Sequence, residues 1–132
     1  MKSTFSSDKV RQLIDSTIRR NYEDENFNVT RLCDYLRTNP ATLREIIIRI
    51  YGLLPKDLIE NMRLQYSLHL LLFDMKIIEI AEKVGYANSR SFRTAFKKRL
   101  NIAPSEFRKM IGTIPEERQA SRVMNCTRLL WG

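Results

Sequence analysis

Residues 80–108 read IAEKVGYANSRSFRTAFKKRLNIAPSEFR, and this stretch decides the fold. Its spacing predicts three short helices separated by two stops. The first, Ile77–Val84, carries Ile80, Ala81 and Val84. Gly85 turns the chain, and Asn88 is placed to cap a second helix, Ser89–Leu100, whose Phe92, Ala95 and Phe96 share one face. Pro104 opens a third helix running to about Met110. Within the second helix Arg90, Arg93, Lys97, Lys98 and Arg99 occur with no acidic residue among them, so an apolar side is set against basic ones. Surface helices usually mix signs along a face, which makes an unbroken basic run informative.

The same plan is written once more upstream. Leu43, Ile47, Gly52, Pro55 and Leu58 recur 49 positions later as Phe92, Phe96, Asn101, Pro104 and Phe107. Leu32, Cys33 and Leu36 match Ile80, Ala81 and Val84 at an offset of 48, so the second turn holds one extra residue. Each unit is a short helix, a turn, a capped helix and a restart at proline. The small residue of each first helix, Cys33 or Ala81, lets a second helix cross closely. This is the grammar of a helix-turn-helix, whose second helix can enter a major groove. A plain helical bundle would satisfy one copy. Two copies joined by one long helix, with the second copy strongly basic, are far more specific.

Outward from the repeat, a first helix is expected from Asp8 to Tyr22 with Val10, Leu13, Ile14, Ile18 and Tyr22 on one face, ended by the polar stretch 23–28. Val29–Leu36 follows, and then Asn39-Pro40 starts the helix that stops at Gly52. Pro55 opens the longest helix, to about Leu72, roughly 27 Å at 1.5 Å per residue. In the tail, Thr113, Pro115, Glu116 and Glu117 form a helix-start signal, and Val123, Cys126 or Thr127, and Leu130 share a face. A docked helix, a dimer contact and a frayed end all fit that pattern. The expectation is an all-α fold with two helix-turn-helix subdomains, residues 8–54 and 74–111, joined by a linker helix at 55–73. That makes about seven helices, with residues 112–132 as a C-terminal tail that adds an eighth if it is helical.

Composition excludes much else. The 132 residues are 43% hydrophobic, enough for a core in one domain or two very small ones. The longest apolar run, Leu70–Phe73, is far short of the roughly 18 residues a membrane helix needs, and residues 1–8 lack the apolar core of a signal peptide. Two isolated cysteines, Cys33 and Cys126, make neither a disulfide framework nor a zinc site, and Cys33 sits at a small core position. With His69 the sole histidine, no metal, no cofactor and no catalytic residue is expected. The net charge is +8, and residues 76–111 carry +6 of it, nine basic against three acidic. An anionic partner follows, and the charge points to one helix as its seat.

Residues 80–108 closely resemble the signature of the AraC/XylS transcriptional regulators, in which I-A-x-x-V-G-[FY] is followed by a polar cap, F-x-x-x-F-K-[KR] and P-x-x-[FY]-R. The likeness covers about residues 8–110, and Arg63 fits the linker helix of that family. It implies a seven-helix, two-subdomain DNA-binding domain of a cytoplasmic bacterial regulator. Its partners would be double-stranded promoter DNA and, as in many members, RNA polymerase. Many members also carry a separate ligand-binding or dimerisation domain, for which this chain has no room.

Helical geometry supplies an independent view of the surface. With Phe92 inward, 100° per residue puts Arg90, Thr94 and Lys97 on the opposite face, flanked by Ser91 and Arg93. The resemblance marks Ser89, Arg90, Ser91 and Thr94 as base-reading. Arg90 is the strongest of these, because its fork matches both acceptors of a guanine edge. Arg93, Lys97 and Lys98 are expected on phosphates. About Leu43 the same geometry exposes Ala41, Glu45 and Ile48, flanked by Thr42 and Arg44. Ala41, Arg44 and Glu45 match base-reading positions of the family and Thr42 a phosphate contact. Two departures weaken the first unit. Glu45 stands where the family commonly has a cation, and Arg37 where it has a turn glycine, at a cost of roughly 1–2 kcal/mol if that position is left-handed. The second unit is therefore expected to dominate affinity. The competing reading is a helical protein-interaction module that kept the fold but lost specific DNA binding. Duplex binding as a function of salt separates the two.

Overall fold

The computed structural model describes residues 7–131, and every regular element among them is helical. The order is α1 Ser7–Asn21, α2 Val29–Leu36, α3 Pro40–Tyr51, α4 Pro55–Leu70, α5 Ile77–Lys83, α6 Ser89–Leu100, α7 Pro104–Gly112 and α8 Glu116–Trp131. The start signals work as their chemistry requires. Asn28, Asn39 and Asn88 are extended residues whose side-chain oxygens accept from the amides of Arg31, Thr42 and Ser91 at 3.0, 2.9 and 2.8 Å. Each satisfies one of the amide donors that a helix start leaves open. Pro40, Pro55 and Pro104 occupy the first turns of α3, α4 and α7, where no backbone donor is needed.

The stops are left-handed residues. Gly52 ends α3 at φ +72° and Asn101 ends α6 at φ +60°. These are the two residue types that tolerate this conformation best. Arg37 ends α2 at φ +53°, ψ +50°, so the turn that the family builds with glycine is left-handed here as well, with a side chain in place. Arg37 is exposed, so little packing offsets the strain. Arg37→Gly is expected to raise stability by about 1 kcal/mol, the strain relieved less the extra unfolded-state freedom of glycine. A shift of the urea midpoint to higher concentration would register it, and an unchanged midpoint would show the turn to be unstrained.

Two buried clusters share α4. Ile14 and Ile18 of α1, Phe27, Leu32 and Cys33, and Leu43 and Ile47 of α3 pack on Leu58, Ile59 and Met62 in its first half. Leu64 and Leu68 in its second half, with Leu71, join Ile80, Ala81, Val84, Phe92, Ala95, Phe96, Leu100, Phe107 and Ile111. Phe92, Phe96 and Phe107 meet edge-on, with ring centroids 5.7 and 6.2 Å apart, the geometry that aligns ring edges with ring faces. Ala81 is fully buried where α5 and α6 pack together, as a small-residue crossing predicts.

Two details depart from the sequence expectation, and a third selects among readings it left open. Leu13 is 55% exposed, and Thr17 takes the buried place, its hydroxyl donating to the Leu13 carbonyl at 2.7 Å. The linker helix stops at Leu70, about 24 Å after it begins. Leu72 and Phe73 are exposed beyond it, and Arg108 donates to the carbonyls of Leu71 and Phe73 at 3.2 and 3.0 Å, tying down the end of α4. The third concerns the tail. Val123, Cys126 and Leu130 of α8 complete the second cluster, Asn61 donates to the Leu130 carbonyl at 2.7 Å, and the Trp131 indole donates to Gln65 at 2.7 Å. Of the three readings left open for residues 112–132, the docked helix is the one observed.

Candidate nucleic-acid interface

Helix α6 is fixed on its inner side and open on its outer side. Phe92, Ala95, Phe96 and Leu100 are buried, while Arg90, Ser91, Arg93, Thr94, Lys97 and Lys98 are exposed and Ser89 is half-buried. Because Asn88 caps only one of the first-turn amides, the remaining donors of that turn face outward beside Ser89, Arg90 and Ser91. An anion would meet backbone donors, the positive end of the helix dipole and a guanidinium together at this end.

Arg99 is a correction to the charge count. Its guanidinium bonds the Asp57 carboxylate at 2.6 Å, lies 3.2 Å from Glu60, and donates to the Asn61 side-chain oxygen at 2.8 Å. It faces α4, away from the outer side of α6. Four cations of the run, not five, project outward. The signal was available: Arg99 lies seven residues after Phe92, two helical turns along the same face. Arg99 anchors the last turn of α6, holding the helix whose outer face is the candidate surface.

Helix α3 has the same construction and a different surface. Leu43 and Ile47 are buried, and Ala41, Thr42, Arg44, Glu45 and Ile48 are exposed, with Ile48 at 42%. Its outer side presents Arg44 and Arg49 beside Glu45, a nearly balanced surface against the four cations of α6. Phasing about Leu43 and Phe92 thus placed every named side chain on an accessible side.

Neither cysteine is chemically prominent. Burial pushes the thiols of Cys33 and Cys126 up, away from the thiolate form that reacts or ligates. Among the described residues no group of His, Cys, Asp and Glu could hold a metal ion, and no helix is long and apolar enough to cross a membrane.

Comparison with known proteins fits this geometry. A helix-turn-helix domain family model matches residues 32–110, which spans both capped helices and the linker. The TCP pilus virulence regulatory protein of Vibrio cholerae is 32% identical over 111 residues, covering 83% of this chain and 38% of that protein. The HTH-type transcriptional regulator ExsA of Pseudomonas aeruginosa is 30% identical over 90 residues, covering 65% of this chain and 32% of that one. The chain therefore spans about a third to two fifths of these relatives. Among solved structures, the C-terminal domain of the response regulator AraT from Geobacillus stearothermophilus superposes with a TM-score of 0.74 at 27% identity, over 82% of this chain and 88% of that one. The C-terminal domain of the two-component response regulator yesN from Fusobacterium nucleatum gives 0.72 at 30% identity, over 76% and 98%. On the family model, these relatives and the paired, capped helices about α4, the chain belongs to the AraC/XylS family of helix-turn-helix transcription regulators.

Proposed function

We propose that this chain binds double-stranded promoter DNA sequence-specifically through α6 and α3, and that α6 supplies most of the affinity. The observation that carries this is the unbroken set of Arg90, Arg93, Lys97 and Lys98 on the exposed side of a capped helix whose other side is locked into a core. Residues 74–111 form the principal reading unit, residues 8–54 the second, and the linker 55–73 carries the α4 rod, Pro55–Leu70, between them. Arg90 pairs with a base edge, with Ser89, Ser91 and Thr94 reading neighbouring positions. Arg93, Lys97 and Lys98 neutralise phosphates. On α3, Ala41 and Arg44 approach bases and Thr42 a phosphate. Glu45 is repelled by phosphates and suited only to a donor such as cytosine N4.

The distance between units constrains the DNA. Successive major-groove faces on one side of the duplex lie about 34 Å apart, and a rod of about 24 Å falls short of that. Both helices insert only if the duplex bends toward the protein, which costs of order 1–6 kcal/mol and favours flexible steps between the half-sites. Otherwise α3 rests on the backbone and contributes shape recognition. The bland surface of α3 supports that unequal division. RNA polymerase is the second partner this reading adds, in a protein working in the bacterial cytoplasm on the nucleoid.

The experiment compares Arg90→Ala with Arg44→Ala on a duplex selected from random sequence. Arg90→Ala is expected to weaken binding about 10- to 100-fold and to relax the preference at one base pair, the loss of one bidentate contact. Arg44→Ala is expected to cost about threefold or less. Equal losses would remove the asymmetry. Binding that never exceeds the random-duplex level, even at low salt, would turn the assignment toward the protein-interaction module.

A further inference from the structure

Between the two units lies a joint centred on Arg63. Arg63, midway along α4, donates from Nε to the carbonyl of Tyr22 at 3.0 Å and from one terminal nitrogen to the carbonyls of Asp24 and Phe27 at 3.0 and 3.1 Å. All three acceptors belong to the end of α1 and the loop leading to α2, part of the first unit. The other side of the same guanidinium lies 5.9 Å from the ring centre of Tyr86, in the turn between α5 and α6 of the second unit. Next to it, Gly85 is buried at φ +96°, and a Cβ there would fall on the Tyr22 carbonyl oxygen and within 2.7 Å of Arg63 Nε. The helix-turn-helix turn of the second unit is therefore pressed onto the loop of the first, with one guanidinium between them.

This contact matters because a linker helix alone is a weak setter of geometry. Each unit packs on one half of α4, and even a small rotation of either about the rod would swing its reading helix around the duplex. A cross-brace off the axis of the rod removes that freedom. Burial disfavours the charge of Arg63, and three carbonyl acceptors with the Tyr86 face are what hold it there. Tyr22 adds to the brace, stacking on Tyr66 of α4 with ring centres 4.2 Å apart and packing against both clusters.

We propose that the Arg63–Gly85–Tyr86 joint is a positioning device that sets the spacing and rotational phase between the two DNA half-sites this protein accepts. The proposal rests on both units engaging DNA. One inserted base pair moves a half-site by about 3.4 Å and rotates it by about 34°. A braced protein cannot follow that change and an unbraced one can.

The test uses the full chain and three duplexes: the selected site, the same site with one base pair inserted between its halves, and the site with its first half scrambled. Arg63→Met keeps the packing stem and loses all three carbonyl bonds. Tyr86→Leu keeps those bonds and removes the aromatic cover, and it carries the test alone if Arg63→Met does not fold. The unaltered protein is expected to bind the inserted duplex at least about tenfold more weakly than the selected site. Either variant should narrow that ratio to under threefold while binding the scrambled duplex as the unaltered protein does. A folded variant that keeps the tenfold ratio overturns the proposal, as does one that weakens on all three duplexes alike. If the unaltered protein tolerates the insertion yet suffers from the scrambling, two-unit binding stands and the joint does not set spacing. If it tolerates both, two-unit binding itself fails.

Discussion

Ending the chain at Gly112 is expected to lower the melting temperature by about 15–25 °C. Helix α8 contributes Val123, Cys126 and Leu130 to the second cluster, each less than 10% exposed. Burial of side chains of this kind stabilises by about 1.5–3 kcal/mol apiece, so removing three costs about 5 kcal/mol before any hydrogen bond is counted. That is a large share of the 5–15 kcal/mol typical of a domain, and at this size each kcal/mol moves the midpoint by several degrees. The damage extends to the candidate interface. Asn61 is fully buried because α8 covers it, donating to Leu130 and accepting from Arg99, so the Arg99 anchor of α6 sits in a network that the tail closes. Thermal unfolding followed by circular dichroism should show the drop, and duplex affinity should fall with it. A midpoint within a few degrees of the full chain would mean that α8 lies on the domain without stabilising it. Leu130→Ala provides a milder version, expected to cost about 2–5 kcal/mol.

What could be read from the sequence divides along a physical line. Interactions that close within four residues were legible: Asn39 and Asn88 had to bond an amide three positions on, and Pro40 and Pro104 had to sit in first turns. Faces were legible too, because phase follows from a fixed angle per residue, and Leu43 and Phe92 oriented α3 and α6. The same phase sets Arg99 inward, seven residues after Phe92, but a count of charges puts it with the outward cations. Contacts between distant segments were not legible. Nothing in the local pattern of Arg63 or Arg108 says that its acceptors are carbonyls 36–41 and 35–37 positions away. Carbonyls are present at every residue and leave no mark in composition. The place of the tail stayed open for a related reason. Periodicity showed that Val123 and Leu130 share a face but could not name Asn61 and Gln65 of α4 as the groups that receive it. Leu13 is the reverse case, an apolar residue that phase alone would set about 95° from the centre of the buried stripe formed by Ile14, Thr17 and Ile18.

Gly85→Ala is the second large effect, and its comparison with Gly52→Ala separates two causes that glycine usually confounds. Both glycines are left-handed, at φ +96° and +72°, so both substitutions carry a backbone penalty of about 1–3 kcal/mol. At Gly52 nothing lies within 4 Å of the new carbon, and the backbone penalty is the whole cost. At Gly85 the carbon lands on a backbone carbonyl and against Arg63, and neither neighbour can yield cheaply. The carbonyl belongs to Tyr22, whose own amide is bonded to Ile18 at the end of α1, and moving the guanidinium breaks its bonds to Tyr22, Asp24 and Phe27. Overpacking of this kind adds about 1–3 kcal/mol, so Gly85→Ala should cost about 4 kcal/mol in a urea titration, against about 2 for Gly52→Ala. The excess should shrink when Arg63 is already replaced, because Arg63→Met frees space beside the turn. The two substitutions in contact should then be less than additive by about 1 kcal/mol or more. Equal costs at the two glycines, or strict additivity with Arg63→Met, would show that the turn of the second unit can lift from the first at no expense, and the joint would have no hold on the geometry between them.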